Sequence, residues 1–269
     1  MDADLQQKLT RLQANLAGIE SLAVAFSGGV DSSLLLYLAH QALGERCLAV
    51  TARSCSFPQR ELAAARQFCS DRGIEQLIVD SEELDIAGFA DNPPERCYLC
   101  KSELFARIAD VAAARGILSI AEGSNLDDEG DYRPGLRAVA ECGVLSPLRA
   151  VGLDKAGVRS LSQHFGLPTA DKPSFACLAS RFPYGERITE AGLKRVELAE
   201  QFLLDSGLRQ VRVRSHGELA RIEVDAAELQ RFFDADFRAQ VDAALQGYGF
   251  KFVALDLAGY RTGSMNATL

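Results

Sequence analysis

The sequence predicts an α/β fold: a doubly wound parallel sheet, followed by a smaller C-terminal α+β domain. Three observations carry that expectation. Short apolar runs alternate with helical patterns through the first half of the chain. A glycine-bearing stretch, Ser27-Gly28-Gly29-Val30-Asp31-Ser32, joins the first apolar run to the first helical pattern. A long stretch with little periodicity, 166–187, holds Pro168, Pro173, Pro183 and Gly185 and precedes an α-β-β-α-β succession. The 269 residues allow one large domain or two modest ones. The expected division is 1–166 for the sheet domain, 167–189 for a functional loop and junction, and 190–269 for the α+β domain.

The elements follow in order. Leu22 to Phe26 is apolar at every position and reads as a buried strand. It leads through the glycine stretch into a helix ending near Gly44. Cys47 to Thr51 is a second strand. Pro58 to Arg72 is a helix, with Pro58 in a first-turn position and Gly73 as its stop. Gln76 to Val79 is a third strand, Tyr98 to Arg115 a helix, and Ile117 to Ala121 a fourth strand. Arg133 to Glu141 is helical, and Val144 to Leu148 adds a short fifth strand, cut by Pro147. Asp154 to Phe165 is a further helix. Beyond the junction come a helix from Glu190 to Ser206, strands at Gln210 to Arg214 and Leu219 to Val224, a helix from Ala235 to Gln246, and a strand at Lys251 to Leu255.

Composition excludes several functions. A net charge of −8 and a pI near 5.1 disfavour an extended DNA or RNA contact, because phosphate neutralisation needs a basic face. Tryptophan is absent, so base-stacking platforms are not prominent. A local arginine cluster remains compatible with one small phosphorylated ligand. No apolar run approaches the roughly 18 residues of a membrane span. The acidic, polar start, Met1 to Gln7, is not a signal peptide, and a cytoplasmic protein without a membrane partner is expected. The seven cysteines are too few for a disulfide scaffold, and in a reducing compartment they are thiols, ligands or nucleophiles.

Ser27, Gly28, Gly29, Asp31 and Ser32 suit an anion. Glycines let amide groups approach closely, and a helix N-terminus adds unpaired donors. Asp31 repels a bare phosphate but suits one bridged by magnesium. A plain strand-to-helix turn is the other reading. There is no Gly-Lys dipeptide and no G-x-G-x-x-G. The stretch instead resembles the SGG-x-DS loop of the PP-loop ATP pyrophosphatases, the adenine nucleotide alpha hydrolase-like fold. That resemblance implies cleavage of ATP between its α- and β-phosphates and adenylation of a substrate oxygen. It also places Arg53 and Ser54 where the fold contacts adenine and ribose, or else on a surface turn. The polar run Glu122 to Gly135 follows the fourth strand. Its Asn125 and Arg133 either serve the nucleotide, with acidic neighbours holding magnesium, or form a solvated loop.

Cys97-Tyr98-Leu99-Cys100 opens a helix beside Arg96 and Lys101, a setting that favours thiolate chemistry. From spacing alone it is a redox pair, half a zinc site or a set of cluster ligands. Cys177 lies in Lys172-Pro173-Ser174-Phe175-Ala176-Cys177-Leu178-Ala179-Ser180-Arg181. Cys47, Cys55, Cys69 and Cys142 read as buried, unreactive thiols.

The Lys172 to Arg181 stretch, Pro183-Tyr184-Gly185, Asp131 to Gly135, Ser146-Pro147-Leu148 and Gly259-Tyr260-Arg261-Thr262-Gly263-Ser264 resemble the signature of the LarE family. These proteins are ATP-dependent sulfur transferases of nickel-pincer nucleotide cofactor biosynthesis. The resemblance implies adenylation of pyridinium-3,5-dicarboxylate mononucleotide, conversion of its carboxylates to thiocarboxylates, and catalytic roles for Asp31, Cys177, Ser180 and Arg181. It implies one of two sulfur sources. Either Cys97, Cys100 and Cys177 hold a [4Fe-4S] cluster with an open iron, or Cys177 surrenders its own sulfur; the cluster is the expectation. It further implies a homo-oligomer and other pathway enzymes as partners. Another PP-loop enzyme, such as a tRNA thiolase, or a non-catalytic nucleotide sensor is the competing function.

Arg212 and Arg214 fall on one face of their strand, and bidentate guanidinium forks suit phosphate. With Arg261 they form the expected substrate-phosphate site, the alternative being a solvated strand face. Glu200 and Glu223 match acidic positions of the family and are candidates for a divalent metal.

Overall fold

The computed structural model describes residues 1–130 and 134–261. By packing, the chain divides into two units, one of 1–82 with 95–175 and one of 83–94 with 176–269. The expected junction of 167–189 is therefore shared: its first part packs with the first unit and the remainder with the second.

The first unit opens with α1 (Ala3–Ala17), where the Asp2 carboxylate accepts the Leu5 amide at 2.8 Å. Leu5, Leu9, Leu12 and Leu16 are its buried face. This helix lay outside the expectation, although the leucine spacing is a helical signal. There follow β1 (Leu22–Ala25), α2 (Val30–Leu43), β2 (Cys47–Arg53), α3 (Gln59–Ser70), β3 (Gln76–Asp80), α4 (Arg96–Ala114), β4 (Ser119–Ala121), α5 (Gly135–Glu141), α6 (Pro147–Ala150) and α7 (Lys155–His164). Among the described residues the strands form a parallel sheet in the order β3-β2-β1-β4. Successive strand residues face opposite sides. Leu22, Val24 and Ala49 pack with α1, α2, α3 and α7, whereas Ala23, Leu48 and Val50 pack with α4 and α5. Helices on both faces are why β1 is apolar at every position.

Two expectations change here. Val144 to Leu148 does not form a strand: Leu145 makes one parallel bridge to Ala121, and Pro147 then starts α6. A proline lacks the amide a ladder needs, while its fixed φ suits the first helical position. The helix expected from Arg133 begins at Gly135, and Arg133 lies outside the described residues.

The second unit contains α8 (Glu190–Asp205), β5 (Val211–His216), β6 (Leu219–Val224), α9 (Ala235–Gly247) and β7 (Phe252–Leu255), with short 3-10 turns at Leu178–Arg181 and Ala226–Phe233. β5 and β6 are antiparallel, and β6 and β7 parallel. Thr189 caps α8 by accepting the Gly192 amide at 3.1 Å. The inserted segment 83–94 is bonded to the region after Cys177. Asn92 donates from its side-chain amide to the carbonyls of Phe182 (3.2 Å) and Pro183 (2.6 Å), and its own carbonyl accepts the Gly185 amide at 2.9 Å. Asn92 is fully buried with φ +55°, a conformation asparagine tolerates better than most residues. Among the described residues no helix is long and apolar enough to cross a membrane.

Candidate active site

The carboxyl ends of parallel strands are where this fold class places ligands. Ser27, Gly28 and Gly29 lie between β1 and α2, whose first turn carries Asp31 and Ser32. Gly28 has φ +70°, and a Cβ there would meet Ala65 at 3.3 Å. The serine hydroxyls of Ser27 and Ser32 lie 3.2 Å apart, and Ser32 also donates to the Gly29 carbonyl at 3.2 Å. The result is a tight loop ending at a helix N-terminus, where the helix dipole favours an anion.

The loop after β4 approaches this turn closely. A Cβ on Gly123 would fall 2.9 Å from the Ser32 amide nitrogen, so only glycine fits. Asn125 is buried and donates from its side-chain amide to Asp31 Oδ1 at 2.9 Å. Glu122 accepts the hydroxyls of Ser124 (2.7 Å) and Ser146 (2.6 Å). Arg53 and Ser54 stand at the end of β2. Arg53 pairs with Asp80 of β3 at 2.5 Å, and Ser54 is buried with its hydroxyl 3.4 Å from that of Ser56.

Two lysines distant in sequence reach the same loop; Lys155 was not singled out in the sequence, and Lys172 was read only as part of the stretch around Cys177. Lys155 Nζ lies 2.5 Å from Asp31 Oδ2. Lys172 Nζ donates to the Gly28 carbonyl at 2.9 Å and pairs with buried Glu61 at 2.6 Å. The absence of a lysine inside the loop was the available signal, since such a site still calls for cationic neighbours.

None of the seven cysteines is in a disulfide. Cys97 is exposed and Cys100 half-buried, three residues apart on the first turns of α4 in the first unit. Cys177 is half-buried in the second unit. Among the described residues no three His, Cys, Asp or Glu side chains are gathered as a metal site. Cys47 and Cys69 are buried, and burial pushes both thiols up to about 12. Cys142, which follows α5, is however exposed, and Cys55 is only half-buried.

Cys177 begins the 3-10 turn. Its carbonyl accepts the Ser180 amide (3.0 Å), the Ser180 hydroxyl (2.8 Å) and Arg181 Nη1 (3.2 Å). Arg181 is fully buried, and its fork meets Glu200 of α8 at 2.7 and 3.0 Å. Burial alone would raise the Glu200 carboxyl, but Arg181, Arg212 and the Val213 amide together hold it below the usual range. This pairing therefore stabilises the fold above the ordinary carboxylate range and is lost as acid protonates Glu200. Ser180 and Arg181 thus position the Cys177 turn. Arg181→Met, which strands a buried carboxylate, is expected to cost about 3–5 kcal/mol in urea denaturation. Arg181→Met with Glu200→Leu should recover most of that loss.

β5 is buried along its length, which removes the solvated-face alternative for its arginines. Arg214 Nη2 meets Glu223 at 2.7 Å, and its Nη1 donates to the Ser180 carbonyl at 3.0 Å. Arg212 lies 5.0 Å over the Tyr260 ring. Burial, and then the charge of Arg181, pull its guanidinium down to about 10, still cationic at neutral pH. Burial and Arg221 also lower His216, so it is neutral there. Arg261 is exposed. Both Glu200 oxygens face Arg181, while Glu223 faces Arg214 and Arg221. Both carboxylates are thus engaged by guanidinium groups.

A family model described as NAD synthase matches residues 4–114. The chain is 41% identical over 265 residues to an uncharacterized protein of Synechocystis sp., covering 98% of this chain and 99% of that one. It is 37% identical over 268 residues to the pyridinium-3,5-bisthiocarboxylic acid mononucleotide synthase of Lactiplantibacillus plantarum, covering 99% and 96%. An uncharacterized protein of Methanocaldococcus jannaschii is 27% identical over 266 residues, covering 95% and 98%.

Proposed function

We propose a reaction for this chain from one premise: it belongs to the LarE family of ATP-dependent sulfur transferases. The substrate is pyridinium-3,5-dicarboxylate mononucleotide, and the product carries thiocarboxylates in place of both carboxylates. The observation that carries the reading is the lysine-free phosphate loop with Asp31 on the first turn of α2, in a chain matching the synthase over nearly its whole length.

A substrate carboxylate oxygen attacks the α-phosphorus of ATP, the bond to the bridging oxygen breaks, and pyrophosphate leaves. The loop amides and the α2 N-terminus receive the phosphates. Asp31 fits magnesium, which is commonly held by one or two carboxylates together with substrate phosphates. A sulfur nucleophile then attacks the acyl carbon and AMP departs. Arg53, Ser54 and Asn125 serve the nucleotide; Arg212, Arg214 and Arg261 take the substrate phosphate. In this reading 1–166 cleaves ATP, 190–269 holds the substrate, and 167–189 carries Cys177.

The donor set of three thiols outside any disulfide, Cys97, Cys100 and Cys177, suits an iron–sulfur cluster, whose irons take thiolate ligands. When bound, a [4Fe-4S] cluster would supply renewable sulfide. The second reading takes Cys177 as a sacrificial donor. The working context is a cytoplasmic homo-oligomer acting with other enzymes of the cofactor pathway.

The test is product identity. AMP and pyrophosphate formed only with the dicarboxylate nucleotide, plus the thiocarboxylate mass, support the proposal, and ADP as main product overturns it. Charge-assisted bonds contribute roughly 1.5–3 kcal/mol each. Arg212→Ala is thus expected to weaken substrate binding about ten- to a hundred-fold by calorimetry, with ATP binding little changed.

A further inference from the structure

We infer that Lys155 stands in for the divalent cation at Asp31 while nucleotide is absent, so that metal enters the site only together with the triphosphate. The inference rests on the ATP reading above and concerns the order in which the charges assemble.

Both Asp31 oxygens are already engaged. Oδ2 meets Lys155 Nζ at 2.5 Å, and Oδ1 accepts the Asn125 amide at 2.9 Å. Carboxylate and ammonium together are neutral. Magnesium sheds water reluctantly and usually takes carboxylate and phosphate oxygens together. A single carboxylate already paired with an ammonium is a poor competitor for it. A triphosphate brings several negative charges to the loop at once, and the site can then hold both cations.

The placement of Lys155 is not explained by helix stability. It is the first residue of α7, where a cation opposes the helix dipole. Its backbone is fixed: the Lys155 amide donates to Asp127 Oδ2 at 2.9 Å, and the Leu126 amide to the Leu153 carbonyl at 2.7 Å. Only its flexible stem has to move. Lys172 contrasts with it. That cation is committed to buried Glu61 and to the Gly28 carbonyl, so it is a fixed part of the loop. Lys155 is accordingly a positioning residue whose charge responds to nucleotide.

The test measures manganese retained by the full chain in equilibrium dialysis, with and without α,β-methylene-ATP. The wild type is expected to retain Mn²⁺ only with the analogue. Lys155→Met is expected to bind Mn²⁺ alone at least about ten-fold more tightly than the wild type. Adding Asp31→Asn to that variant should abolish the gain. Lys155→Arg, which keeps the charge, should behave as the wild type and controls for disturbed folding, as does an unchanged circular dichroism spectrum of Lys155→Met. Equal Mn²⁺ binding by wild type and Lys155→Met without nucleotide overturns the inference. Failure of the ATP reading has another signature: neither protein binds the analogue, and the inference falls with it.

Discussion

Cys177→Ala is expected to abolish thiocarboxylate formation, to below about a thousandth of the wild-type rate, while substrate-dependent pyrophosphate release continues. The two halves of the reaction separate because they use different groups. In the proposed reaction adenylation uses the phosphate loop and Asp31, which belong to the first unit. Sulfur delivery needs a thiol. Ser180 and Arg181 bond to the Cys177 carbonyl, which alanine keeps, so the variant retains this anchoring of the turn. Anaerobic turnover assays with mass spectrometry of the nucleotide read both halves at once. The same assay on Cys97→Ala decides the sulfur source. A cluster held by three cysteines predicts loss of iron and of sulfur transfer. A sacrificial Cys177 predicts one surviving turnover: the thiolate displaces AMP, and the thioester eliminates across Cα–Cβ to leave thiocarboxylate and dehydroalanine. The chain then loses the mass of one hydrogen sulfide.

Asp31→Ala is expected to lower AMP and pyrophosphate formation by roughly a thousand-fold or more. A metal ion stabilising developing phosphate charge contributes several kcal/mol, and each 1.36 kcal/mol is tenfold in rate. The side chain is partly exposed and its partner Lys155 more so, which keeps the folding penalty small. A thermal melt within a few degrees of wild type, beside lost pyrophosphate release, checks the assignment. Unimpaired AMP formation would remove Asp31 from the mechanism.

The sheet unit was legible because its signals are local. Apolar runs with a strand-like length, glycines at helix ends and the glycine loop are each read within a dozen residues. The loop itself was found in sequence because its chemistry is concentrated in Ser27 to Ser32. Its lysines were not, since Lys155 and Lys172 arrive from more than a hundred residues away and look like ordinary surface cations. The same limit applied to Arg181. As part of a Cys-Leu-Ala-Ser-Arg run it suggested catalysis, but burial and pairing with Glu200 are tertiary facts. Pro147 misled for a different reason: a proline ends a strand and starts a helix equally well, and the sequence pattern does not choose.

The crossing of the chain at residues 83–94 bears on how the protein is made. Synthesis runs from the N-terminus, and domains generally fold as units as they emerge. Asn92 leaves the ribosome long before Phe182, Pro183 and Gly185, the groups its side chain and carbonyl bind. The segment must therefore wait, unpaired, through the translation of α4 to α7 before its partners exist. The first unit has its sequence complete by residue 175, but the second is finished only when the later chain returns to this waiting segment. A ribosome stalled near residue 175 would display a nearly complete sheet unit with an open clasp, and the late-made half would assemble onto a piece of backbone laid down early.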